Sequence, residues 1–433
     1  MKKGRPRRLS FERWMWTGVV VLGFLLFSVN LLLLRGLDDA ADETVGKAAY
    51  SPASADSMLE QDHSIHNIIA AGMALAKPTG AAQMKVEKTV KTPISADDST
   101  PGNNPLLQNL IDAGMSLANA TALASKLPSW GEVVDRFGPA PRILGLETCQ
   151  AFNDKVSKRQ RMLAPAGTFN TGTNLLAQLL ELNCKIETGR PRKTGMEWQV
   201  NWGKHQPPRF RLENRVHDNI HNEYMMPVVM VRDPYGWMQG MCKTRYSAHW
   251  FHVSQQHCPN FVPNHIEYEW FGKTKNFLRI FYGGDPWLID NVSNKANFTL
   301  DSSVVPLWVR YKTQNMNHDS LVHMWKDWNQ EYYDATFPRL MVRLEDLVYH
   351  PRAVLTQVCH CVEGILADNL TLPEKSAKQG ADHIHGKVKT GLLDAMIKHA
   401  QGNRTHGMTL DDLQFARQVL DESIMKEFGY KHP

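Results

Sequence analysis

Between Gly167 and Asn174 the chain reads G-T-F-N-T-G-T-N, with an apolar lead-in (RMLAPA) before it and Leu175, Leu176, Leu179 and Leu180 at helical spacing after it. A strand that ends in a glycine-bounded turn and opens a helix gathers backbone N–H groups and the positive end of the helix dipole at one point, which suits a phosphate or sulfate. Thr171, Thr173 and Asn174 add side-chain donors without bulk, so Gly167, Thr168, Phe169, Asn170, Thr171, Gly172, Thr173 and Asn174 form a candidate anion loop. The same residues would also serve as a tight strand-to-helix connection capped by Thr173 or Asn174. The nucleotide-phosphate pattern G-x-x-x-x-G-K-[ST] needs a lysine where Thr173 stands, and no Lys or Arg occurs between Ala164 and Asn183. An ATPase or GTPase would lack its phosphate-charge neutraliser.

Such a loop has to be held by a layered frame. Short β-type runs alternate with helix-type segments: RMLAPAG (161–167), a helix from Asn174, CKIE (184–187), MPVVMVRDP (226–234), a helix through YGWMQGMCKTRY (235–246), a helix at Leu321–Tyr333, PRLMVRLEDL (338–347) and a helix from Pro351. Uninterrupted apolar runs such as Val228–Val231, bounded by turn residues, predict buried parallel strands in an α/β fold. Ligands of such folds gather beyond the carboxyl ends of the strands, where the loop stands.

The N-terminal segment is of a different kind. Trp14–Leu34 contains about 21 uncharged, mostly apolar residues, matching the ~20 that a helix needs to span a bilayer. A cleaved signal peptide would have a shorter apolar core and a small-residue cleavage site. Six basic residues and one acid precede the run, and Asp38, Asp39, Asp42 and Glu43 follow it, so the body is expected on the extracytoplasmic side. That tail accounts for the whole formal charge of +5 and leaves the body neutral, which argues against a nucleic-acid partner. All six cysteines lie after the span, with 15 possible pairings, and five N-x-S/T acceptors occur at Asn119, Asn291, Asn297, Asn369 and Asn403. Cys359 and Cys361 are poorly spaced to pair with each other, and no ligand pattern for a metal accompanies them. Residues 36–104 are Ala/Ser/Thr/Asp/Gly/Pro-rich, and a partial repeat within the stem, NIIAAGMALA from Asn67 and NLIDAGMSLA from Asn109, reads as short amphipathic helices on a stalk suited to self-association.

Four stretches together resemble the sulfotransferases that use 3′-phosphoadenosine 5′-phosphosulfate (PAPS). The loop resembles their 5′-phosphosulfate-binding loop, and MPVVMVRDPYGWMQGMC (226–242) resembles the segment that binds the 3′-phosphate, with Arg232 at the arginine position. SLVHMWKDWNQEYY (320–333) and PRLMVRLEDLVYHP (338–351) follow in the family's order. With a single span and a stem, the chain is most similar to Golgi-type carbohydrate sulfotransferases. The resemblance implies a three-layer, P-loop-like α/β fold with a central parallel sheet, PAPS as co-substrate, no metal, and a glycan or glycoprotein acceptor. The implied organisation is a cytoplasmic tail (1–13), a transmembrane signal-anchor (14–34), a stem (35–143) and a lumenal sulfotransferase-like domain (144–433) of a single-pass Golgi membrane protein.

Two positions depart from the pattern: Asn170 stands at the loop's Lys/Arg position, and Gly240 at the serine position eight residues after the arginine. The stretch NWGKHQPPRFRLENR (201–215) lies where the family carries a Lys/His segment leading to its base. His205 has the pKa range of a general base, and Lys204 is the candidate for the missing charge. Arg209, Arg211 and Arg215 are further anion contacts, and Glu213 and His217 are alternative bases. The basic loop Lys375–Gly391 is a candidate lid, and the Trp/His-rich stretch Tyr246–Cys258 a candidate acceptor wall, against the plainer readings of a solvated loop and core packing. The rival readings are a non-catalytic binding protein on the same fold and a Golgi glycosyltransferase, which would need a D-x-D-type metal motif that has no convincing setting in the chain.

Overall fold

The computed structural model describes residues 104–112, 115–188, 195–212, 219–250, 257–265, 267, 304–311, 314–373, 392–420 and 422–433, all within the compact unit His66–Pro433. The assigned membrane span, most of the assigned stem, Glu213, Arg215, His217 and the loop Lys375–Gly391 lie outside these residues. None of the described helices is long and apolar enough to cross a membrane.

The described chain opens with α1 (Pro105–Asp112), α2 (Leu117–Leu123) and α3 (Trp130–Phe137). These three helices fall within the stretch read as stem, yet they pack into the body. Leu106, Leu107 and Leu110, on one face of α1, are at most 2% exposed, and Asn109 Nδ2 donates to the Tyr349 carbonyl. The packed region therefore starts about 40 residues before the expected boundary, because the apolar face of the second repeat is covered by the body. Ser129 and Glu132 close a capping box at the start of α3.

Next come β1 (Ile143–Leu144), α4 (Thr148–Lys155), β2 (Met162–Gly167), α5 (Thr173–Asn183), β3 (Cys184–Lys185), β4 (Met225–Val231) and α6 (Pro234–Lys243). The chain continues through β5 (Ala248–Trp250), β6 (Leu307–Arg310), β7 (Asn315–His318), α7 (Leu321–Tyr333), β8 (Leu340–Arg343), α8 (Leu344–Tyr349), α9 (Pro351–His360) and β9 (Ile365–Leu366). It ends with α10 (Leu392–Gln401), α11 (Leu410–Val419) and α12 (Glu422–Glu427).

The architecture is mixed α/β. The central sheet has the order β1-β8-β4-β2, parallel between β8, β4 and β2 and antiparallel at β1. All residues of β2, β4 and β8 are buried, as their uninterrupted apolar runs predict. The central sheet expected to be parallel is so only across these three strands. The run at Cys184 does not join it: β3 pairs antiparallel with β9 in a separate two-stranded ribbon. With Cys184 buried and Lys185 exposed, this strand has only one face to bury and cannot sit inside the central sheet. β5, β6 and β7 form a third, antiparallel sheet.

Disulfides Cys149–Cys361, Cys184–Cys359 and Cys242–Cys258 use all six cysteines. The C-x-C pair is divided between two partners, so the end of α9 is tied to both α4 and β3.

Candidate functional site

The loop leaves the carboxyl end of β2 and enters α5. A Cβ on Gly167 would lie 2.5 Å from Thr171 Oγ1 and 2.7 Å from Thr173 Cγ2, so the turn closes this tightly only around glycine. Thr171 Oγ1 donates to the Thr168 carbonyl at 2.7 Å, which shapes the turn from inside. The capping reading fails: Thr173 is already helical, and Gly172 (φ 81°) occupies the N-cap with no side-chain hydrogen bond. The first-turn N–H groups of α5 thus keep their donors for a ligand. Thr168 Oγ1, also buried, has no partner.

Lys204 and His205 reach this loop by backbone pairing along the free edge of β2. Leu163 N–H donates to Gly195 O, Glu197 N–H to Leu163 O, Val200 N–H to Pro165 O and Gly167 N–H to Lys204 O, at 2.9–3.1 Å. A segment with no regular strand pattern in its sequence is thereby laid beside the sheet, and it ends level with the loop. Helix α7 fixes it from the other side: Trp328 Nε1 donates to His205 O at 3.1 Å and Tyr332 Oη to Gln206 O at 3.2 Å. Trp325, on the same helix face, donates to the Arg232 carbonyl at 3.0 Å. One aromatic helix face therefore positions both the Lys/His segment and the arginine.

Lys204 is 6% exposed; its Nζ donates to Asn174 Oδ1 at 2.8 Å and lies 3.7 Å from the centroid of the Trp198 ring. An ammonium is thus anchored to the first turn of α5, on the loop that has no basic residue of its own. His205 Nδ1 lies 2.7 Å from the Gly167 carbonyl. Burial, with a smaller contribution from Lys204, pushes its pKa down to about 4 even though the Gly167 bond opposes this. The ring is therefore neutral at neutral pH. Because a carbonyl only accepts, Nδ1 carries the proton and Nε2 carries the lone pair. Phe169 packs at 5.0 Å from His205, and Tyr246 stacks on Phe169 at 5.2 Å.

Arg232 emerges from β4, the strand beside β2. It is 8% exposed, its Nη1 donates to Asn170 O at 3.0 Å, and its buried Nε has no partner. The adjacent acids are engaged elsewhere: Asp233 with Arg404 at 2.5 Å, and Glu345 with the Asp233 N–H and Tyr430 Oη. Burial lowers the Arg232 pKa, and Arg232 in turn helps to depress Lys398 and His399 on α10. Arg136 of α3 donates to the carbonyls of His399 and Ala400. For both groups burial is the larger cause, and His399 stands beside Arg232 as a neutral ring rather than as a cation.

Comparison with known protein families, curated proteins and solved structures finds no match.

The structure brings Gly167–Asn174, Lys204, His205 and Arg232 together. It leaves two expected anion contacts elsewhere. Arg209 is paired with Glu331 through Nε at 2.7 Å, and Arg211 lies 4.7 Å from the Phe337 ring, because both follow the turn at Pro207–Pro208 that carries the chain away. Of the proposed acceptor wall, Tyr246 lines the site; residues 251–256 lie outside the described chain. Lys398 and His399 were not legible as neighbours of Arg232, since only tertiary packing brings α10 near it. Trp198 had one signal, its position ahead of the Lys/His pair. Among the described residues no group of three or more His, Cys, Asp or Glu side chains is arranged to hold a metal ion.

Proposed function

We propose that the chain is a PAPS-dependent sulfotransferase on a three-layer, P-loop-like fold, transferring a sulfuryl group to a hydroxyl of a glycan or glycoprotein. The observation that carries this reading is the convergence of an uncapped helix terminus, a buried lysine, a neutral histidine and a buried arginine whose Nε has no partner at the carboxyl ends of β2 and β4. The residues present suit two anionic ends: the loop from Gly167 to Asn174 for the 5′-phosphosulfate, and Arg232, with its unpartnered Nε, for the 3′-phosphate. The bound co-substrate supplies the sulfuryl group and a phosphate leaving group. His205 Nε2 takes the acceptor proton as the acceptor O–S bond forms and the S–O bond to phosphate breaks. Lys204 offsets the charge left on the phosphate, which a neutral Asn170 cannot do.

Three disulfides, together with exposed sequons at Asn119, Asn369 and Asn403, support the oxidising lumen of the secretory pathway. The sequence of the first 34 residues supports a single-span Golgi anchor. One observation favours the rival, a binding protein that performs no transfer: the loop has no charge of its own, and the neutral Asn170 amide is turned to the Thr244 carbonyl.

Calorimetry with 3′-phosphoadenosine 5′-phosphate on the purified protein tests the reading. We expect micromolar binding that Arg232→Met abolishes, together with transfer of labelled sulfate from PAPS to glycans. Absence of binding to the wild-type protein would sink both readings; binding without hydrolysis of PAPS or transfer would leave the binding protein.

A further inference from the structure

Asn170 and Gly240, the two departures from the sulfotransferase pattern, meet in space. A Cβ on Gly240 would lie 2.9 Å from Arg232 Nη1 and 3.4 Å from Asn170 Cβ. We propose that Asn170 is a positioning residue that clasps the anion loop to Arg232 and to α6, and that Gly240 supplies the room in which the clasp closes. The proposal rests on the sulfotransferase reading, in which the loop and Arg232 hold opposite ends of one nucleotide.

The clasp has two parts. Asn170 takes a left-handed backbone (φ 59°), which asparagine tolerates better than most residues, and its carbonyl accepts from Arg232 Nη1 at 3.0 Å. Its Nδ2 donates to Thr244 O at 2.9 Å and lies 3.3 Å from Met241 Sδ. Arg232 precedes α6 and Thr244 follows it, so one residue ties the loop to both ends of that helix. Trp237, from the middle of α6, adds a third tie, donating Nε1 to Phe169 O at 2.6 Å. The loop and Arg232 are thereby held as one unit, and the distance between the two anion-binding ends is set by α6.

The clasp also accounts for the absence of a lysine at position 170. A lysine would give up the Thr244 bond and bring an ammonium next to the Arg232 guanidinium, a like-charge contact in a buried setting. A serine at 240 would push Nη1 off the Asn170 carbonyl. The loop's cation comes instead from the opposite side, where Lys204 reaches Asn174.

The test compares two ligands, 3′-phosphoadenosine 5′-phosphate and adenosine 5′-phosphate, which lacks the 3′-phosphate. For Gly240→Ser and Asn170→Lys we expect the preference for the first ligand over the second to fall at least tenfold, with adenosine 5′-phosphate bound within about threefold of wild type or tighter. Asn170→Gly keeps the carbonyl that accepts from Arg232 and gives up only the side-chain bond to Thr244 O, so it should lower the preference by a smaller factor than Asn170→Lys does. Gly240→Ala makes the same contact with less bulk and replaces the serine variant if that fails to fold, as judged by circular dichroism. An unchanged or increased preference in Asn170→Lys or Gly240→Ser overturns the proposal, and so does an equal loss for both ligands. Failure of the wild type to bind either ligand would instead remove the sulfotransferase reading on which the proposal stands.

Discussion

Lys204→Met separates a charge that acts on the reaction from one that merely fills the site. The substitution keeps all but the last atom of the side chain's length and leaves the Gly167 N–H to Lys204 O bond, so the edge pairing that delivers His205 is retained. What disappears is the ammonium, held by Asn174 Oδ1 and the Trp198 ring. A full charge ~4 Å from an ammonium at an effective dielectric of ~20 is worth about 4 kcal/mol, and a partial charge developing on the leaving phosphate correspondingly less. A loss of about 2–4 kcal/mol of barrier stabilisation corresponds to a turnover roughly 30- to 1000-fold lower. Binding of 3′-phosphoadenosine 5′-phosphate should weaken by a smaller factor, because Arg232 and the loop remain, and only interactions stronger in the transition state than in the ground state raise turnover. Slow hydrolysis of PAPS by water provides the assay without any knowledge of the acceptor, paired with calorimetry on the product. Turnover within threefold of wild type would refute the relocation of the loop's charge to Lys204. Equal losses in turnover and in product affinity would show that Lys204 only binds.

His205→Asn should lower turnover by about a hundredfold or more if the imidazole takes the acceptor proton. In the wild type, with the His205 pKa lowered to about 4, the rate should stay flat from neutral pH to about pH 5 and fall below that as the ring charges, which a pH–rate profile reads directly. Gly167→Ala sets a Cβ 2.5 Å from Thr171 Oγ1, so product binding should fall more than tenfold by calorimetry. The associated overpacking should cost about 1–3 kcal/mol in the melting curve. His257 bridges Glu267 at 2.8 Å and Asp412 at 2.9 Å; burial opposes its charge, but these two carboxylates raise its pKa to about 9. Its contribution to stability is therefore complete below the unfolded value of about 6.5 and is lost as pH rises through 9, so the melting temperature should fall over that window in the wild type and much less in His257→Gln. Arg232→Met should raise the melting temperature of the ligand-free protein while abolishing product binding.

The frame of the site could be read from the sequence because its signals are local. β2, β4 and β8 are uninterrupted apolar runs, and each is buried along its whole length. Helix α7 was bounded correctly at Leu321–Tyr333, since Ser320 caps it and its aromatic residues recur at helical spacing. What the sequence could not supply was anything set by tertiary pairing. The stretch 195–204 has no strand signature, yet hydrogen bonds to β2 align it and deliver Lys204. Arg209 and Arg211 had the right chemistry and the wrong place, because the turn at Pro207–Pro208 and the pairing with Glu331 take them off the site. The start of the packed body was misplaced for a similar reason: an amphipathic helix on a stalk and one docked on a core have the same pattern, and only the partner surface distinguishes them. The positive-φ geometry of Asn170 was equally hidden, since asparagine is compatible with either backbone region.

The electrostatics of Arg232 weigh against a purely structural role. A buried ion left unpaired costs several kcal/mol, and an apolar side chain of similar volume in its place is often neutral or stabilising. Arg232 has one hydrogen bond, an unpartnered Nε, and Lys398 and His399 as neighbours whose own protonation it opposes. Glu345 and Asp233 favour its charge only through space, because Asp233 is held by Arg404 and Glu345 by Tyr430, and burial outweighs them. Arg343 marks the contrast: it is also buried, yet Asp346 and the carbonyls of Phe137 and Phe428 satisfy it. A fold that can satisfy one buried arginine so fully and leaves another short of partners at the mouth of an anion loop retains a cost that a bound polyanion would offset. If Arg232→Met instead melted below the wild type without ligand, Arg232 would be a second structural arginine, and the argument for an anion at β4 would lose its strongest support.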